Sequence, residues 1–199
     1  MIRSHEAMHQ MHQQVHGLLF SPEKARQTHM IHAILEPQTC STALLHCADQ
    51  TFPAVIGMAG IVGHKQEGDH GTPSGLLPLR RVLWRADRVL RPATRLLAEP
   101  IAPDDGWCDD PSNSAYNTQV HLPFPARHEV LWRDDHIYDI IVVLGHNDDP
   151  IIKGRGSAIF MHLQSPTGKP TEGCIALTET DLRKVLSMGV SAIQVPTPN

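Results

Sequence analysis

The stretch Ser157-Ala-Ile-Phe-Met-His-Leu163, followed after a polar loop by Thr171-Glu-Gly-Cys-Ile-Ala-Leu177, decides how this chain is read. In the first segment Ser157, Ile159, Met161 and Leu163 alternate with Ala158, Phe160 and His162. That two-residue period is a β-strand's, and it puts His162 on one face with Ala158 and Phe160. The intervening Gln164-Ser-Pro-Thr-Gly-Lys-Pro170 carries prolines and a glycine that break regular structure and suit a loop folding back, which returns Cys174 to His162. A cysteine attacks carbonyls as its thiolate, so near neutral pH it needs an imidazole to take its proton or to hold it as an ion pair. Gly173 permits a tight turn just before the sulfur, and the backbone N–H groups of Gly173 and Cys174 are expected to point at an oxyanion forming on a bound carbonyl. Together these features would make an acyl-transfer site. Spacing alone still favours the plainer alternative of a buried cysteine and a satisfied strand histidine.

The wider pattern shifts that balance. The sequence resembles the L,D-transpeptidase catalytic domain, or YkuD domain, of bacterial peptidoglycan enzymes, which carries a histidine on a strand, a loop, and then Ser/Thr-x-Gly-Cys-Ile/Val. Here His162 and Thr171-Glu172-Gly173-Cys174-Ile175 match it, and His64-Lys-Gln-Glu-Gly-Asp-His-Gly-Thr-Pro-Ser-Gly75 matches an upstream signature. Stretches such as Asp105-Gly-Trp-Cys-Asp-Asp-Pro111 and Gly145-His-Asn-Asp-Asp-Pro150 are similar to those of the compact, single-domain members. The resemblance implies a mainly β fold, a partly open β-barrel or sandwich with few short helices. It implies a reaction in which Cys174 attacks the carbonyl before the terminal D-residue of a peptidoglycan tetrapeptide stem, and His162 protonates the leaving amine. A second stem's amine then resolves the thioester and makes a cross-link. Stem peptides are thus the expected donor and acceptor partners, carbapenem-type inhibitors are expected to acylate, and no metal or organic cofactor is required. The family's location implies the cell envelope or periplasm. Two positions depart from the pattern. Glu172 stands where a basic residue or histidine is common, and Ala176 where a polar residue is common. A carboxylate at 172 disfavours thiolate formation unless a cation such as Lys169 pairs with it.

Other functions remain in competition with transpeptidation. Water accepting the acyl group would make an L,D-carboxypeptidase, and a site without chemistry would make a cell-wall-binding protein. His5, His9, His12 and His16 would stack on one helix face and invite a metal, but no carboxylate constellation accompanies them. A polar leader helix is the simpler reading.

With 199 residues the chain has room for one ordinary domain, read as 30–199, preceded by a polar, histidine-rich extension at 1–29. A net charge of −4 and the lack of Lys/Arg clusters interleaved with aromatics argue against nucleic acid as a partner. No apolar run approaches the roughly 20 residues of a transmembrane helix, and no signal-peptide hydrophobic region is visible near the start. Cys40, Cys47, Cys108 and Cys174 are too few and too scattered for a disulfide scaffold.

Along the domain, Met30–Leu35 and Thr42–His46 read as paired strands, and Phe52–Gly57 as a third candidate. Gly60–Gly75 reads as a loop of turn formers, since it lacks the order of a phosphate-binding loop. The arginines of 79–91 read as a solvated strand or hairpin edge, with a weaker role in attracting stem-peptide carboxylates. Asp104–Pro111 reads as turns. Asp139–Gly145 is the clearest buried strand. Thr178 begins a short amphipathic helix that ends at Gly189, and Val190–Val195 forms a closing strand. In the polar loop before the His162 strand, His146 and Arg155 are candidate substrate contacts, Arg155 toward a carboxylate; Thr171 is a third, beside the Gly-Cys turn.

Overall fold

The structure is a computed structural model and describes residues 31–198. The 1–29 extension and its histidine stripe lie outside the described residues. The chain opens with the strands β1 (Ile31–Pro37), β2 (Thr42–Cys47) and β3 (Gln50–Val55), then the short β4 (Ile61–Val62) and β5 (Thr72–Pro73) on either side of the glycine-rich loop. Next come the long β6 (Gly75–Trp84), then β7 (Leu97–Pro100), β8 (Asp105–Cys108), β9 (Gln119–His121) and β10 (His128–Val130). The C-terminal part supplies β11 (Ile140–Leu144), β12 (Phe160–Leu163), β13 (Ile175–Leu177), the helix α1 (Glu179–Met188) and β14 (Val190–Val195).

A nine-stranded sheet runs β11-β12-β13-β3-β2-β1-β14-β6-β7, and β6 also pairs with β11, so every strand but β7 joins a closed ring. The length of β6 makes this possible. Its first residues pair with β14 and its later ones with both β11 and β7. The ring is thinnest between β3 and β13, where Ala176 and Val55 are the single register pair. Thr171 extends that seam, donating its N–H to Ile56 O and accepting from Met58 N. The expected barrel is therefore present, with its weakest seam beside the Cys174 turn.

Side chains of the ring divide between two apolar clusters. In the continuous β-branched run of β11, Ile140, Val142 and Leu144 enter the inner cluster, while Ile141 and Val143 enter the outer one. β12 divides in the same way, with Met161 and Leu163 inside and Phe160 outside. Strand alternation thus sends one set of side chains into the barrel and the other against a three-stranded sheet, β10-β8-β9, with Trp107, Leu131 and Tyr138 in the packing. Trp107 and Tyr138 meet Phe160 edge-on, at ring-centre distances of 5.1 and 6.1 Å.

α1 forms as the sequence predicts. The Thr178 side chain accepts from Asp181 N, Gly189 caps the C-terminus at φ 79°, and Leu182, Val185 and Leu186 bury themselves in the inner cluster.

Two expectations are corrected. The arginine-rich segment is no solvated edge, because β6 is hydrogen-bonded on both sides. Four of its five arginines are neutralised by ion pairs: Arg80 pairs with Asp148, Arg81 with Glu99, Arg85 with Asp87, and Arg88 with Asp134 and Asp139. Arg85 lies buried over the Trp132 ring at 3.5 Å. The Asp-Gly-Trp-Cys stretch, expected as turn, is the wholly buried strand β8. Asp105 tolerates burial because it accepts from Gln119 Nε2 and Ala102 N, and Trp107 because its indole N–H donates to Asn117. Met161→Ala empties a fully buried site in the inner cluster. It is expected to cost about 2–5 kcal/mol in urea unfolding, whereas a loss under 1 kcal/mol would contradict this packing.

Candidate active site

The parallel pairing of β12 with β13 brings Cys174 and His162 to one face. The register sets Met161 against Ile175, His162 against Ala176 and Leu163 against Leu177. Two residues before Ala176, Cys174 shares its face and falls beside Phe160, whose N–H donates to Cys174 Sγ at 3.4 Å. The thiol donates in turn to Ala158 O at 3.2 Å. Ala158 adopts a left-handed φ of 52° and is fixed by donating its N–H to Asn117 Oδ1.

His162 Nδ1 lies 2.8 Å from Leu163 O. A carbonyl only accepts, so Nδ1 carries the hydrogen and Nε2 is left as the basic nitrogen. Leu163 O is the group that orients the imidazole. The Tyr138 ring meets the imidazole edge-on, at 5.2 Å and 73°, and fixes its plane.

Both side chains line a cleft of about 740 Å³ on the outer face of the barrel, together with Lys65, Glu129, Tyr138 and Thr171. Each is itself nearly buried, His162 at 6% and Cys174 at 8% exposure. Burial dominates their titration. It lowers the His162 pKa to about 4, and it raises that of Cys174 to about 12 with help from Glu129 and Glu172 against the opposing pull of Lys65. At rest the pair is therefore neutral thiol and neutral imidazole, and the ion-pair alternative is disfavoured. Glu129, on β10, accepts from Tyr138 Oη and is lifted by burial to about 7. Among the described residues no ion pair joins Glu172 to Lys169, though both line the cleft.

Gly173 is required twice over. Its φ of 127° lies in glycine territory, and a Cβ there would stand 2.8 Å from Gly71 O. Thr171 builds the turn around it, donating Oγ1–H to Cys174 O at 2.6 Å and accepting from Gly173 N at 3.2 Å. This modifies the expected oxyanion donors. The Gly173 N–H is engaged by Thr171 Oγ1, while no side chain among the described residues accepts from the Cys174 N–H.

Neither Arg155 nor His146 lines this cleft. Arg155 is exposed, and His146 lines a separate cavity of about 280 Å³ with its Nε2 on Arg155 O at 2.9 Å. That bond ties the loop together and accounts for His146 without a ligand. Cys108 is buried in β8, and Cys40, Cys47, Cys108 and Cys174 all stand as free thiols. Sequence reasoning missed Lys65, Glu129 and Tyr138 as lining residues and left the imidazole's partner unassigned. Lys65 had a signal, since it lies inside the upstream His64–Gly75 signature.

The L,D-transpeptidase catalytic domain (YkuD) family model matches residues 47–192, most of the chain, and the chain belongs to that family. The family acts on peptidoglycan. No curated protein and no solved structure matches the chain. Among the described residues no helix is long and apolar enough to cross a membrane.

A neutral resting pair has a measurable consequence. Alkylation of Cys174 by iodoacetamide, followed at that peptide by mass spectrometry, is expected to keep rising beyond about pH 9. A plateau between about pH 5 and 8 would instead reveal a preformed thiolate–imidazolium pair.

Proposed function

We propose that this protein is a cysteine-dependent L,D-transpeptidase that forms peptidoglycan cross-links through a thioester acyl-enzyme. The observation that carries the reading is the presentation of the Cys174 thiol and the His162 imidazole on one face of two adjacent parallel strands, inside a cleft open to a peptide. His162 Nε2 takes the thiol proton as Sγ attacks the carbonyl before the terminal D-residue of a tetrapeptide stem, and the carbonyl π electrons move to oxygen. The tetrahedral intermediate collapses, the C–N bond breaks, and the proton on Nε2 passes to the leaving amine. The amine of a second stem then gives its proton to His162 and attacks the thioester, forming the cross-link and releasing the thiol.

Burial suits this sequence of steps. Neither group is charged in the ground state, so charge appears only as the reaction begins, in surroundings where it interacts strongly with fixed dipoles. Thr171 acts as the brace of the Gly-Cys turn. The work of such an enzyme places it at the cell envelope or in the periplasm, and a carbapenem-type β-lactam would acylate the same sulfur.

Intact-mass measurement tests the assignment. Wild type is expected to gain a thioester adduct from a tetrapeptide or a carbapenem, and Cys174→Ala none. His162→Ala should slow acylation by about 10²- to 10⁴-fold. An adduct that persists in Cys174→Ala would overturn the proposed nucleophile. With an acceptor amine present, the product should be the cross-linked peptide; the free acid alone would identify a carboxypeptidase.

A further inference from the structure

The oxyanion site has one backbone donor engaged elsewhere, and a buried cation stands beside it. Lys65 is 7% exposed and lines the cleft with Cys174. Its stem runs past Gly156, where an added Cβ would meet Lys65 Cγ at 2.7 Å, and its head reaches Gly173, where an added Cβ would lie 3.4 Å from Nζ. Both glycines have positive φ, 92° and 127°, so the backbone on either side is shaped without side chains where the lysine passes. The ammonium is thereby held against the turn that carries the nucleophile.

Asp69 holds the other side. Its Oδ1 pairs with Lys65 Nζ and accepts from Gly71 N, while Oδ2 accepts from Gln66 N at 2.7 Å. A carboxylate with that many donors is fixed, and its pKa is lowered despite the opposing effect of burial. An ammonium has three N–H donors, and Asp69 is the only protein acceptor found for Nζ among the described residues, which leaves donors that can turn toward the cleft. A cation held at the cleft wall beside the Gly-Cys turn is placed to meet an acceptor supplied by the substrate.

We propose that Lys65 is a catalytic residue of the acyl transfer, donating an Nζ–H to the oxyanion of the tetrahedral intermediate alongside the Cys174 N–H. This rests on the acyl-transfer reading given above. When Sγ bonds to the carbonyl carbon, the π electron pair moves to oxygen and the new alkoxide accepts from both donors. The proton of the thiol stays on His162, and Lys65 keeps its own throughout. When the intermediate collapses, the carbonyl re-forms and the C–N bond breaks. Lys65 thus takes the part that the Gly173 N–H, bound to Thr171 Oγ1, is not free to fill. Its charge also favours thiolate formation at Cys174, in the same direction as the proposed role.

The competing role for a cation at this place is binding the carboxylate of the terminal D-residue. Two substrates separate the roles: a tetrapeptide with a free C-terminal carboxylate and the same peptide amidated at that end. Acylation would be timed by quenched-flow intact mass for wild type, Lys65→Met and Lys65→Gln, with thermal unfolding and near-ultraviolet circular dichroism reporting the fold of each. Lys65→Met is expected to lower the acylation rate constant by about 10²- to 10³-fold with both peptides and to leave KM within a few-fold. Lys65→Gln, which keeps N–H donors without the charge, should retain more activity than Lys65→Met and keeps the test alive if the methionine variant does not fold. A folded variant that acylates at the wild-type rate would overturn the role. So would a defect confined to KM and absent with the amidated peptide, which would make Lys65 a carboxylate contact. Absence of any acyl-enzyme in wild type is a distinct outcome that sinks the acyl-transfer reading itself and this inference with it.

Discussion

The hydrogen bond from His162 Nδ1 to Leu163 O is the constraint on which the site depends. It uses no other side chain, since the acceptor is the backbone of the next residue. By occupying Nδ1 it leaves Nε2 bare, and the edge of Tyr138 holds the ring in that plane. The parallel register of β12 and β13 then sets the sulfur on the same face. A shift of one residue in that register would send Cys174 toward the inner cluster and separate the pair.

The barrel wall gives this arrangement its environment. Its inner face holds the larger apolar cluster with α1, and its outer face is covered by the smaller sheet that contributes Trp107, Glu129 and, just beyond it, Tyr138. The covering sheet desolvates the two groups, and that burial favours the neutral form of each. It also brings a carboxyl group, Glu129, close enough to oppose thiolate formation. Lys65, which also lines the cleft, acts in the other direction. The resting chemistry thus reflects a balance between burial, one half-buried acid and one buried cation, with burial the largest effect.

Much of this was legible in the chain. The period at 160–163 gave the face of His162, although the strand expected from Ser157 begins only at Phe160 because Ala158 turns left-handed, and the Thr178 cap and Gly189 stop bounded the helix, because these are local properties of backbone and period. The β8 strand was not legible, because Asp-Gly and Asp-Asp-Pro carry strong turn chemistry that burial under Phe160 and pairing with β9 and β10 override. Nor was β6 legible as an interior strand. Its arginines look solvated in sequence, and their acidic partners at 134, 139 and 148 lie far along the chain. Lys65 and Glu129 were missed for the same reason: their burial comes from residues distant in sequence. Arg155 and His146 were sequence neighbours of the site strand, and neighbourhood in sequence did not carry them to the cleft.

In the proposed function His162 is a neutral imidazole with its hydrogen on Nδ1 and with Nε2 as the proton acceptor. Nitrogen-15 NMR of histidine-labelled protein tests this directly. At about pH 7, His162 is expected to show the neutral tautomer protonated at Nδ1, with protonation appearing only as the pH falls well below the usual histidine range. An imidazolium signal at neutral pH, or a hydrogen on Nε2, would contradict it.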